Sequence, residues 1–448
     1  MRKYFGTDGI RKRSNVSPMT GEIMLRLGMA VGHFFKRGQH RHRVVIGKDT
    51  RLSGYMIEPA LTSGLISMGM DVFLLGPLPT PGVAMLTKSM RADLGIMISA
   101  SHNSFEDNGI KLFGPDGMKL SNQVELEIER LMDSDLERNL STPKELGRAK
   151  RLEDANARYT EFLKNTFPKG QTLEGFKIVV DCANGAAYKT APVVFWELGA
   201  EVVSTGIEPN GFNINDKCGS TNPENISSLV LESKADIGIS FDGDADRVIV
   251  CDENGQIING DQLLALIATE WKALKRLEGN GVVGTYMSNL GLERYLNSIE
   301  LDLIRVEVGD RYVKERMYKD KINIGGEPSG HIIVSNYSTT GDGIVTALQV
   351  LSIIVSKKDK ASKICKIFSS VPQILKNFES SDLKLLNNSD AKKIIADAEE
   401  ALGKNNGRLL VRASGTENLI RVMGECENEH LLNSTVDKVV DKLKDLAN

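Results

Sequence analysis

Short apolar runs alternate with longer amphipathic segments along the chain, and the same succession occurs three times. Each copy opens with an apolar run that ends in a Gly- or Asp-led turn, and a helix-length segment leads to a second apolar run. A third apolar run then ends in a polar loop. The opening runs are VVIGKDTR, IVVDCANGAA and VVGTYMSN, the second runs are DVFLLG, AEVVSTG and LDLIRVEVG, and the third are ADLGIMISASHN, ADIGISFDGDADR and INIGGEPSGH. Strands alternating with helices predict three tandem α/β domains with mixed, mainly parallel sheets.

The segments between and after these copies predict the domain boundaries. The charged run SDLERNLSTPKELGRAKRLEDANARY predicts a surface helix and a linker, and the DENG turn between two apolar runs predicts a β-hairpin. After about Ile367 the repeat is lost, and a smaller α+β domain ends in an amphipathic helix, HLLNSTVDKVVDKLKDLA. We therefore predict domains over residues 1–152, 153–255, 256–367 and 368–448.

Composition excludes several classes of protein. The 448 residues are too many for one ordinary core, and a net charge of −3 with 26% charged residues is untypical of nucleic-acid binding. Five cysteines without CxxC spacing predict free thiols in a reducing compartment and argue against a zinc site. No apolar run follows the basic N-terminus, and none approaches the ~18 residues of a membrane span. We expect a cytoplasmic protein with no nucleic-acid or membrane partner.

The second polar loop carries the strongest chemical signal. Ligands collect at the carboxyl ends of parallel strands, so the three third-strand loops are candidates to meet in one cleft, although three unrelated loops are an alternative. Asp242, Asp244 and Asp246 alternate along the loop, so their carboxylates can converge on one hard cation. An acidic turn without metal is an alternative. A calcium loop of the EF-hand type is disfavoured because Arg247 stands where that loop needs glycine. Mg²⁺ beside a phosphate that Arg247 contacts fits better.

Two further loops offer groups for binding a phosphorylated sugar. The segment RASGTENLIR is suited to bind a phosphate, because it offers two hydroxyl groups, a glycine that lets the backbone come close and two arginine guanidiniums. These groups belong to Ser414, Thr416, Gly415, Arg412 and Arg421. A plain surface turn has the same composition and is the alternative. In GGEPSGH, Glu327 and Ser329 are two residues apart and suit adjacent sugar hydroxyls, and His331 ends the loop. A rigid Gly/Pro loop is the alternative there.

Ser101 ends the first of the third strands. It lacks the G-x-S-x-G surroundings of a hydrolase serine, and strand alternation predicts that the His102 side chain points away from it. A serine facing Mg²⁺ can instead carry a phosphoryl group, with Lys111 assisting proton movement or charge balance. Because no Walker-type loop is present, ATP is not the expected phosphoryl donor.

The motifs together resemble those of the α-D-phosphohexomutases. ISASHN through Lys111, DGDADR, GEPSGH and RASGTENLIRV occur in the family's order and cover essentially the whole chain. Within that superfamily, YFGTDGIRK, GKDTRLSGYMIE, VGDRYV and TTGDGI are most similar to the bacterial phosphoglucosamine mutases. The resemblance implies a four-domain, heart-shaped monomer or homodimer with a central cleft. It also implies interconversion of glucosamine 6-phosphate and glucosamine 1-phosphate, which feeds UDP-N-acetylglucosamine and cell-wall synthesis.

The resemblance also implies the roles of individual residues. Ser101 is expected to be phosphorylated in the active enzyme, and one Mg²⁺ per subunit is expected on Ser101 and the three aspartates. Two phosphoryl transfers would pass through a bisphosphorylated sugar. The residues implied are Ser101, Lys111, Arg247, His331 and Arg11 in catalysis, Glu327, Ser329, Arg311 and His102 in substrate binding, and Arg412, Ser414, Gly415, Thr416 and Arg421 in phosphate binding.

Alternatives remain open within and beyond this family. A phosphomannomutase/phosphoglucomutase would use the same residues, whereas a non-catalytic sugar-phosphate sensor would need no phosphorylatable serine. Four positions depart from the usual family pattern: Ser104, Ala413 and Asn418 replace prolines, and Lys12 replaces a glycine. Because proline fixes φ, these losses are expected to loosen two site loops modestly.

Overall fold

The computed structural model describes residues 3–6, 8–380, 382–413 and 419–447. The chain forms two compact units, one of residues 1–285 with 306–367 and the other of residues 286–305 with 368–448. Among the described residues, no helix is both long and apolar enough to cross a membrane. The five cysteines are free and buried, as the absence of paired spacing predicted.

The first sheet follows the predicted βαβ pattern. Its strands are β1 (Ile10–Arg13), β2 (Arg43–Lys48), β3 (Asp71–Pro77), β4 (Leu94–Ile98), β5 (Asp107–Phe113) and β6 (Ala149–Arg151), in the order β1-β5-β4-β2-β3-β6. Strand β2 runs parallel to β3 and β4, and β5 returns antiparallel to β4. The accompanying helices are α1 (Gly21–Phe35), α2 (Gly54–Ser67), α3 (Thr80–Ser89) and α4 (Asn122–Met132).

The charged segment after α4 differs from its prediction. Instead of a surface helix it contains a short 3₁₀ helix, Leu136–Asn139, and then β6, which pairs parallel with β3 at the edge of the sheet. All three residues of β6 are exposed. Charged side chains are a common feature of edge strands because they discourage pairing with other chains. Because β6 is charged, the pattern of hydrophobic residues did not predict it.

The second sheet repeats the arrangement of the first. Its elements are α5 (Ala155–Lys164), β7 (Lys177–Asp181), α6 (Thr190–Glu197), β8 (Glu201–Thr205), α7 (Pro223–Ser233), β9 (Ile237–Phe241), β10 (Val248–Asp252) and β11 (Ile257–Ile258). Strand β7 runs parallel to β8 and β9, and β10 returns antiparallel to β9. The predicted hairpin at the DENG turn is confirmed, since Cys251 pairs with Ile257.

The third copy follows along the chain. Its elements are α8 (Gly260–Ala273), β12 (Gly281–Thr285), α9 (Leu290–Ser298), β13 (Asp302–Val306), α10 (Asp310–Asp320), β14 (Ile324–Gly326), β15 (Ile332–Val334), α11 (Gly343–Lys357) and α12 (Ala361–Ile364). Strands β12 and β14 are parallel, and β15 returns antiparallel to β14. The predicted third strands β4, β9 and β14 are thus each followed by an antiparallel partner, so each predicted polar loop is the turn of a hairpin.

The second unit has the predicted α+β character. Its C-terminal part contains β16 (Gln373–Glu379), α13 (Ser389–Gly403), β17 (Arg408–Ala413), β18 (Leu419–Glu425) and α14 (Glu429–Ala447). The strands form an antiparallel sheet in the order β16-β18-β17. The predicted amphipathic helix is confirmed as α14, which buries Leu432, Val436 and Leu443 in the core of this unit. Residues 286–305 also belong here, and the Leu290 backbone N–H donates to Glu425 Oε1 at 3.1 Å.

Candidate active site

The loops after β4 and β9 meet at Ser101. The Ser101 hydroxyl donates a hydrogen bond to Asp242 Oδ2 at 2.5 Å, and only 1% of the serine surface is exposed. The approach depends on Gly243, because a Cβ there would lie 2.5 Å from the Ser101 carbonyl oxygen. Two loops that are distant in sequence are therefore held in direct contact.

The prediction that His102 points away from Ser101 is wrong. Ser101 Oγ lies 3.4 Å from His102 Nδ1. The reason is that Ser101 adopts the left-handed backbone conformation, with φ of 55°, which ends the strand alternation on which the prediction rested. Burial, with the nearby Arg247 and Arg11 guanidiniums, lowers the pKa of His102 to about 4. The imidazole is therefore neutral at physiological pH.

The three aspartates converge as predicted. One carboxylate oxygen from each of Asp242, Asp244 and Asp246 lies within 4.8 Å of the others, and all three residues are buried. Lys111, on β5, donates to Asp244 Oδ2 at 2.5 Å and to Asp246 Oδ2 at 2.8 Å. Burial and the neighbouring carboxylates of Asp246 and Asp244 raise the pKa of Asp242. The cluster thus holds three buried carboxyl groups, and the Lys111 ammonium balances only part of their negative charge.

Two oxygens of this cluster suit a cation. Asp244 Oδ1 and Asp246 Oδ1 are buried, and neither accepts a hydrogen bond from any residue that the structure describes. Leaving a buried carboxylate oxygen without a donor is costly, whereas such oxygens are preferred ligands of hard divalent cations. The residues present therefore fit Mg²⁺.

Cationic groups surround the acidic cluster. The Arg247 backbone N–H donates to Asp242 Oδ1 at 3.1 Å, and its side-chain Nε lies 3.9 Å from Asp246 Oδ1. The Nε atoms of Arg247 and Arg11 are buried and have no hydrogen-bonding partner in the described part of the chain. The closest carboxylate contact of Arg11 is Asp8, at 3.9 Å. Because these two guanidiniums have only distant carboxylate partners, their positive charge favours the binding of an anion.

The loop after β14 joins this cluster through His331. His331 Nδ1 lies 3.5 Å from Asp246 Oδ1, and His331 Nε2 accepts a hydrogen bond from the Gly341 backbone N–H at 3.2 Å. Glu327 is buried, and its Oε1 accepts from the Gly309 N–H at 3.1 Å. Ser329 is exposed at the tip of the loop. The predicted meeting of the three loops is therefore observed.

The remaining predicted residues are on α10 and in the second unit. Arg311 is bonded to protein groups on and before α4: it donates to Glu125 Oε1 at 2.7 Å, to the Leu120 carbonyl oxygen at 3.3 Å and to Asn122 Oδ1. In the second unit, Arg412 on β17 and Arg421 on β18 are directly opposite each other. The predicted phosphate-loop residues between them lie outside the described residues, as does one of the departures from the family pattern: Ser414, Gly415, Thr416 and Asn418.

Sequence reasoning missed a buried pair that fixes the Ser101 loop. Asp49 Oδ2 accepts from Arg51 Nε at 2.7 Å and from the Ser99 hydroxyl at 2.6 Å. Arg51 in turn donates to the Ser101 carbonyl oxygen at 2.9 Å. Asn215 donates to the same carbonyl oxygen at 2.9 Å. The available signal was VVIGKDTR, a polar turn at the carboxyl end of β2, the strand beside β4.

Models of protein families match the chain in four consecutive segments. They describe phosphoglucomutase/phosphomannomutase alpha/beta/alpha domain I over residues 2–139, domain II over residues 157–255 and domain III over residues 259–371. The C-terminal domain of the same family matches residues 368–442. The three α/β domains and the smaller C-terminal domain expected from the sequence are thus confirmed.

Relatives and solved structures agree with these models. The phosphoglucosamine mutase of Parvibaculum lavamentivorans is 62% identical over 438 residues, 98% of each chain, and that of Azorhizobium caulinodans is 58% identical over 446 residues, 100% of this chain and 99% of the other. A phosphoglucomutase/phosphomannomutase family protein from Burkholderia thailandensis has the same fold, with a TM-score of 0.83, 24% identity and coverage of 99% and 98% of the two chains. Aspergillus fumigatus N-acetylphosphoglucosamine mutase, solved with GlcNAc-6P and magnesium, gives a TM-score of 0.69 at 18% identity, with 100% and 96% covered. The chain therefore belongs to the phosphoglucomutase/phosphomannomutase family within the α-D-phosphohexomutase superfamily.

Proposed function

We propose that this chain is a phosphoglucosamine mutase, an isomerase that interconverts glucosamine 6-phosphate and glucosamine 1-phosphate. The observation that carries the reaction type is the Ser101 hydroxyl held against the buried cluster of Asp242, Asp244 and Asp246. Full-length identities of 58–62% to relatives named phosphoglucosamine mutase support the amino sugar as substrate. Its product would feed the synthesis of UDP-N-acetylglucosamine and the cell wall.

One Mg²⁺ per subunit is proposed on the three aspartates and the oxygen of Ser101. The support is a pair of buried carboxylate oxygens, Asp244 Oδ1 and Asp246 Oδ1, that accept no hydrogen bond of normal geometry from the residues described by the structure. When bound, Mg²⁺ supplies neutralisation of the negative charge on the phosphoryl group that is transferred. Arg247 adds a second positive charge beside the same position.

Ser101 is proposed to carry the phosphoryl group. In the first transfer, the P–O bond to Ser101 Oγ breaks as a P–O bond to the free sugar hydroxyl forms, and that hydroxyl loses its proton. The resulting bisphosphorylated sugar turns around. Its other phosphoryl group then returns to Ser101 Oγ, and the sugar oxygen that is released regains a proton. Lys111 and His331 lie against the acidic cluster, where they can balance charge or assist proton movement. Arg11, whose charge acts on both His102 and Lys111, is proposed to offset negative charge that develops during transfer.

Sugar binding is proposed for the loop after β14 and for two residues outside it. Glu327 accepts a hydrogen bond from the Gly309 N–H, and Ser329 is exposed two residues further along the loop. Both side chains can therefore form hydrogen bonds with hydroxyl groups of one sugar. His102 is neutral and close to Ser101, and a neutral imidazole can donate and accept hydrogen bonds at the same time. For Arg311 the support is the resemblance alone, because its guanidinium is bonded to Glu125 and Asn122.

The phosphate that does not react is proposed to bind in the second unit. Arg412 and Arg421 are directly opposite each other on adjacent strands that lead into and out of the loop, and guanidiniums are suited to donate forked hydrogen bonds to a phosphate. Ser414, Gly415 and Thr416 are proposed to complete the site from the loop between the strands.

We also propose a cytoplasmic location, a monomeric or homodimeric state, and a division into four domains. The domains are residues 1–152, 153–255, 256–367 and 368–448. The family-model matches support the division. Limited proteolysis followed by mass spectrometry should find the first cleavages near these boundaries, and light scattering should give the mass of one or two chains.

The substrate is tested by measuring kcat/KM side by side on glucosamine 1-phosphate, glucose 1-phosphate and mannose 1-phosphate. We expect glucosamine 1-phosphate to have the highest value, with some turnover of the neutral sugars. A site discriminates strongly when the wrong sugar leaves a buried polar group unpaired, and otherwise by about 10- to 200-fold. A higher value for either neutral sugar would favour a phosphomannomutase/phosphoglucomutase, and no turnover of any sugar would favour a sensor.

A further inference from the structure

A second cluster of metal-ligating side chains lies at the edge of the first sheet opposite Ser101. His42 immediately precedes β2 and His40 is two residues earlier, and Asp93 immediately precedes β4. Strands β2 and β4 are parallel neighbours, with Val44 opposite Leu94, so all three side chains belong to the amino-terminal edge of the sheet. Ser101 follows the other end of β4. Five residues of strand, at ~3.3 Å each, separate the two edges by about 17 Å.

The distances within this cluster suit a tetrahedral ion. His40 Nε2 lies 2.9 Å and His42 Nδ1 lies 3.4 Å from the same oxygen, Asp93 Oδ1. One ligand atom from each residue lies within 4.8 Å of the others. A tetrahedral ion with bonds of about 2.0–2.1 Å separates its ligands by about 3.3–3.4 Å. Only small movements of the side chains are therefore needed to place all three atoms around one ion.

His42 supplies an independent indication of a ligand. The residue is only 3% exposed, and its Nδ1 lies 3.4 Å from Asp93 Oδ1 but does not meet hydrogen-bond geometry with any described residue. A buried polar atom without a partner is unfavourable, and a coordinated ion would satisfy it. His40 remains largely exposed, so an ion can reach the cluster from solvent.

The carboxylate is held ready for such a role. The Arg43 backbone N–H donates to Asp93 Oδ2 at 2.8 Å, which orients Oδ1 toward the imidazoles. An aspartate carboxylate is ordinarily ionised at neutral pH, which is the form that binds a metal ion.

We propose that His40 Nε2, His42 Nδ1 and Asp93 Oδ1 form a binding site for a divalent transition metal of the Zn²⁺ class, with water completing the coordination. Imidazole nitrogens favour Zn²⁺, Co²⁺ and Ni²⁺ over Mg²⁺, so this site differs in preference from the all-carboxylate cluster. The absence of CxxC spacing argues against a zinc site with cysteine ligands, and it does not argue against one with histidine and aspartate ligands. The bound ion links the connection before β2 to the connection before β4 and stabilises the folded chain.

The test uses the full-length protein in excess Mg²⁺, with Co²⁺ as a spectroscopic probe and Zn²⁺ as the titrant. Wild type should show the visible absorption of tetrahedral Co²⁺ and should bind one more equivalent of Zn²⁺ than His40→Gln. His430→Gln is the matched control, since His430 is an exposed histidine far along the chain on α14, and it should behave as wild type. His40 is exposed, so its replacement is not expected to unfold the protein.

Thermal unfolding gives a second readout. Zn²⁺ should raise the Tm of wild type and of His430→Gln by several degrees more than that of His40→Gln or Asp93→Asn. Identical Co²⁺ spectra and identical Zn²⁺ titrations in wild type and His40→Gln would overturn the proposal. So would an equal effect of Zn²⁺ on the Tm of all four proteins.

Discussion

Ser101 and Asp242 are 141 residues apart in the chain, yet the Ser101 hydroxyl donates a 2.5 Å hydrogen bond to Asp242 Oδ2. Each residue lies in the turn of a hairpin that follows a strand whose five residues are all buried, β4 in one case and β9 in the other. The contact therefore joins the loop at the carboxyl end of β4 in the first sheet to the loop at the carboxyl end of β9 in the second sheet. A group attached to the serine oxygen would lie beside the buried carboxylates, and this relationship is the basis of the proposed phosphoryl transfer.

Replacing Ser101 by alanine should abolish turnover. The variant Ser101→Ala lacks the oxygen that is proposed to carry the phosphoryl group, so kcat should fall by at least about 10³-fold while the circular dichroism spectrum stays that of the folded protein. Ser104→Ala is the matched control, because Ser104 is an exposed serine of the same loop, and it should retain activity. Normal turnover by Ser101→Ala would exclude the mechanism.

Removing one carboxylate from the acidic cluster should impair catalysis through the metal. Asp244→Asn removes a ligand charge, and we expect kcat to fall by about 10²-fold or more, with a higher Mg²⁺ concentration needed for half-maximal activity. Chelation of wild type should stop turnover, and added Mg²⁺ should restore it. Asp216→Asn, at an exposed aspartate, is the control. Full activity in excess chelator would contradict the proposed role of Mg²⁺.

The chain pattern predicted the sheets and the meeting of their loops well, for a physical reason. Buried parallel strands read as continuous apolar runs, and ligands collect at their carboxyl ends, so the pattern made the loops of Asp242 and Ser101 candidates to meet, with three unrelated loops as the alternative. The pattern failed where it carries no hydrophobic signal. Strand β6 is charged and exposed, and the orientation of His102 depends on one left-handed residue, Ser101.

The buried support of the Ser101 loop could not be predicted for a different reason. Asp49 and Arg51 stand in a polar turn that has the composition of many surface loops, yet both are almost fully buried. Their burial follows from where β2 lies in the sheet, and Arg51 donates to backbone carbonyl groups, which leave no trace in the sequence. Such positioning residues are visible only in three dimensions.

Arg51 should act on the rate through the position of Ser101. Arg51→Lys keeps a positive charge beside Asp49, so the buried carboxylate retains a cation, but a lysine cannot reproduce the forked donation to the loop carbonyls. We expect kcat to fall about 10-fold or more with a smaller change in KM, and less phosphate on Ser101. The exposed Arg37→Lys is the control. An unchanged kcat in Arg51→Lys would show that this pair has no positioning role.

Arg412 should act on binding rather than on the chemical step. If it holds the phosphate that does not react, Arg412→Ala removes a charge-assisted hydrogen bond worth about 1.5–3 kcal/mol, and KM should rise by roughly 10- to 100-fold. The value of kcat should fall as well if the contact also orients the sugar. Lys404→Ala, at an exposed cation of the same unit, is the control. An unchanged KM in Arg412→Ala would leave the loop between β17 and β18 with a structural role only.

The central claim is that Ser101 carries the transferred phosphoryl group, and peptide mass spectrometry tests it most directly. The purified protein is incubated with Mg²⁺ and glucosamine 1,6-bisphosphate, digested, and examined by fragmentation of the peptide that contains Ser101 and Ser104. If the bisphosphate carries isotope-labelled phosphoryl groups, we predict one labelled phosphate on Ser101, and this label should be exchanged for unlabelled phosphate when excess unlabelled glucosamine 1-phosphate is added before digestion. Phosphate on another residue, or none at all in a preparation that turns over at its full rate, would contradict the account.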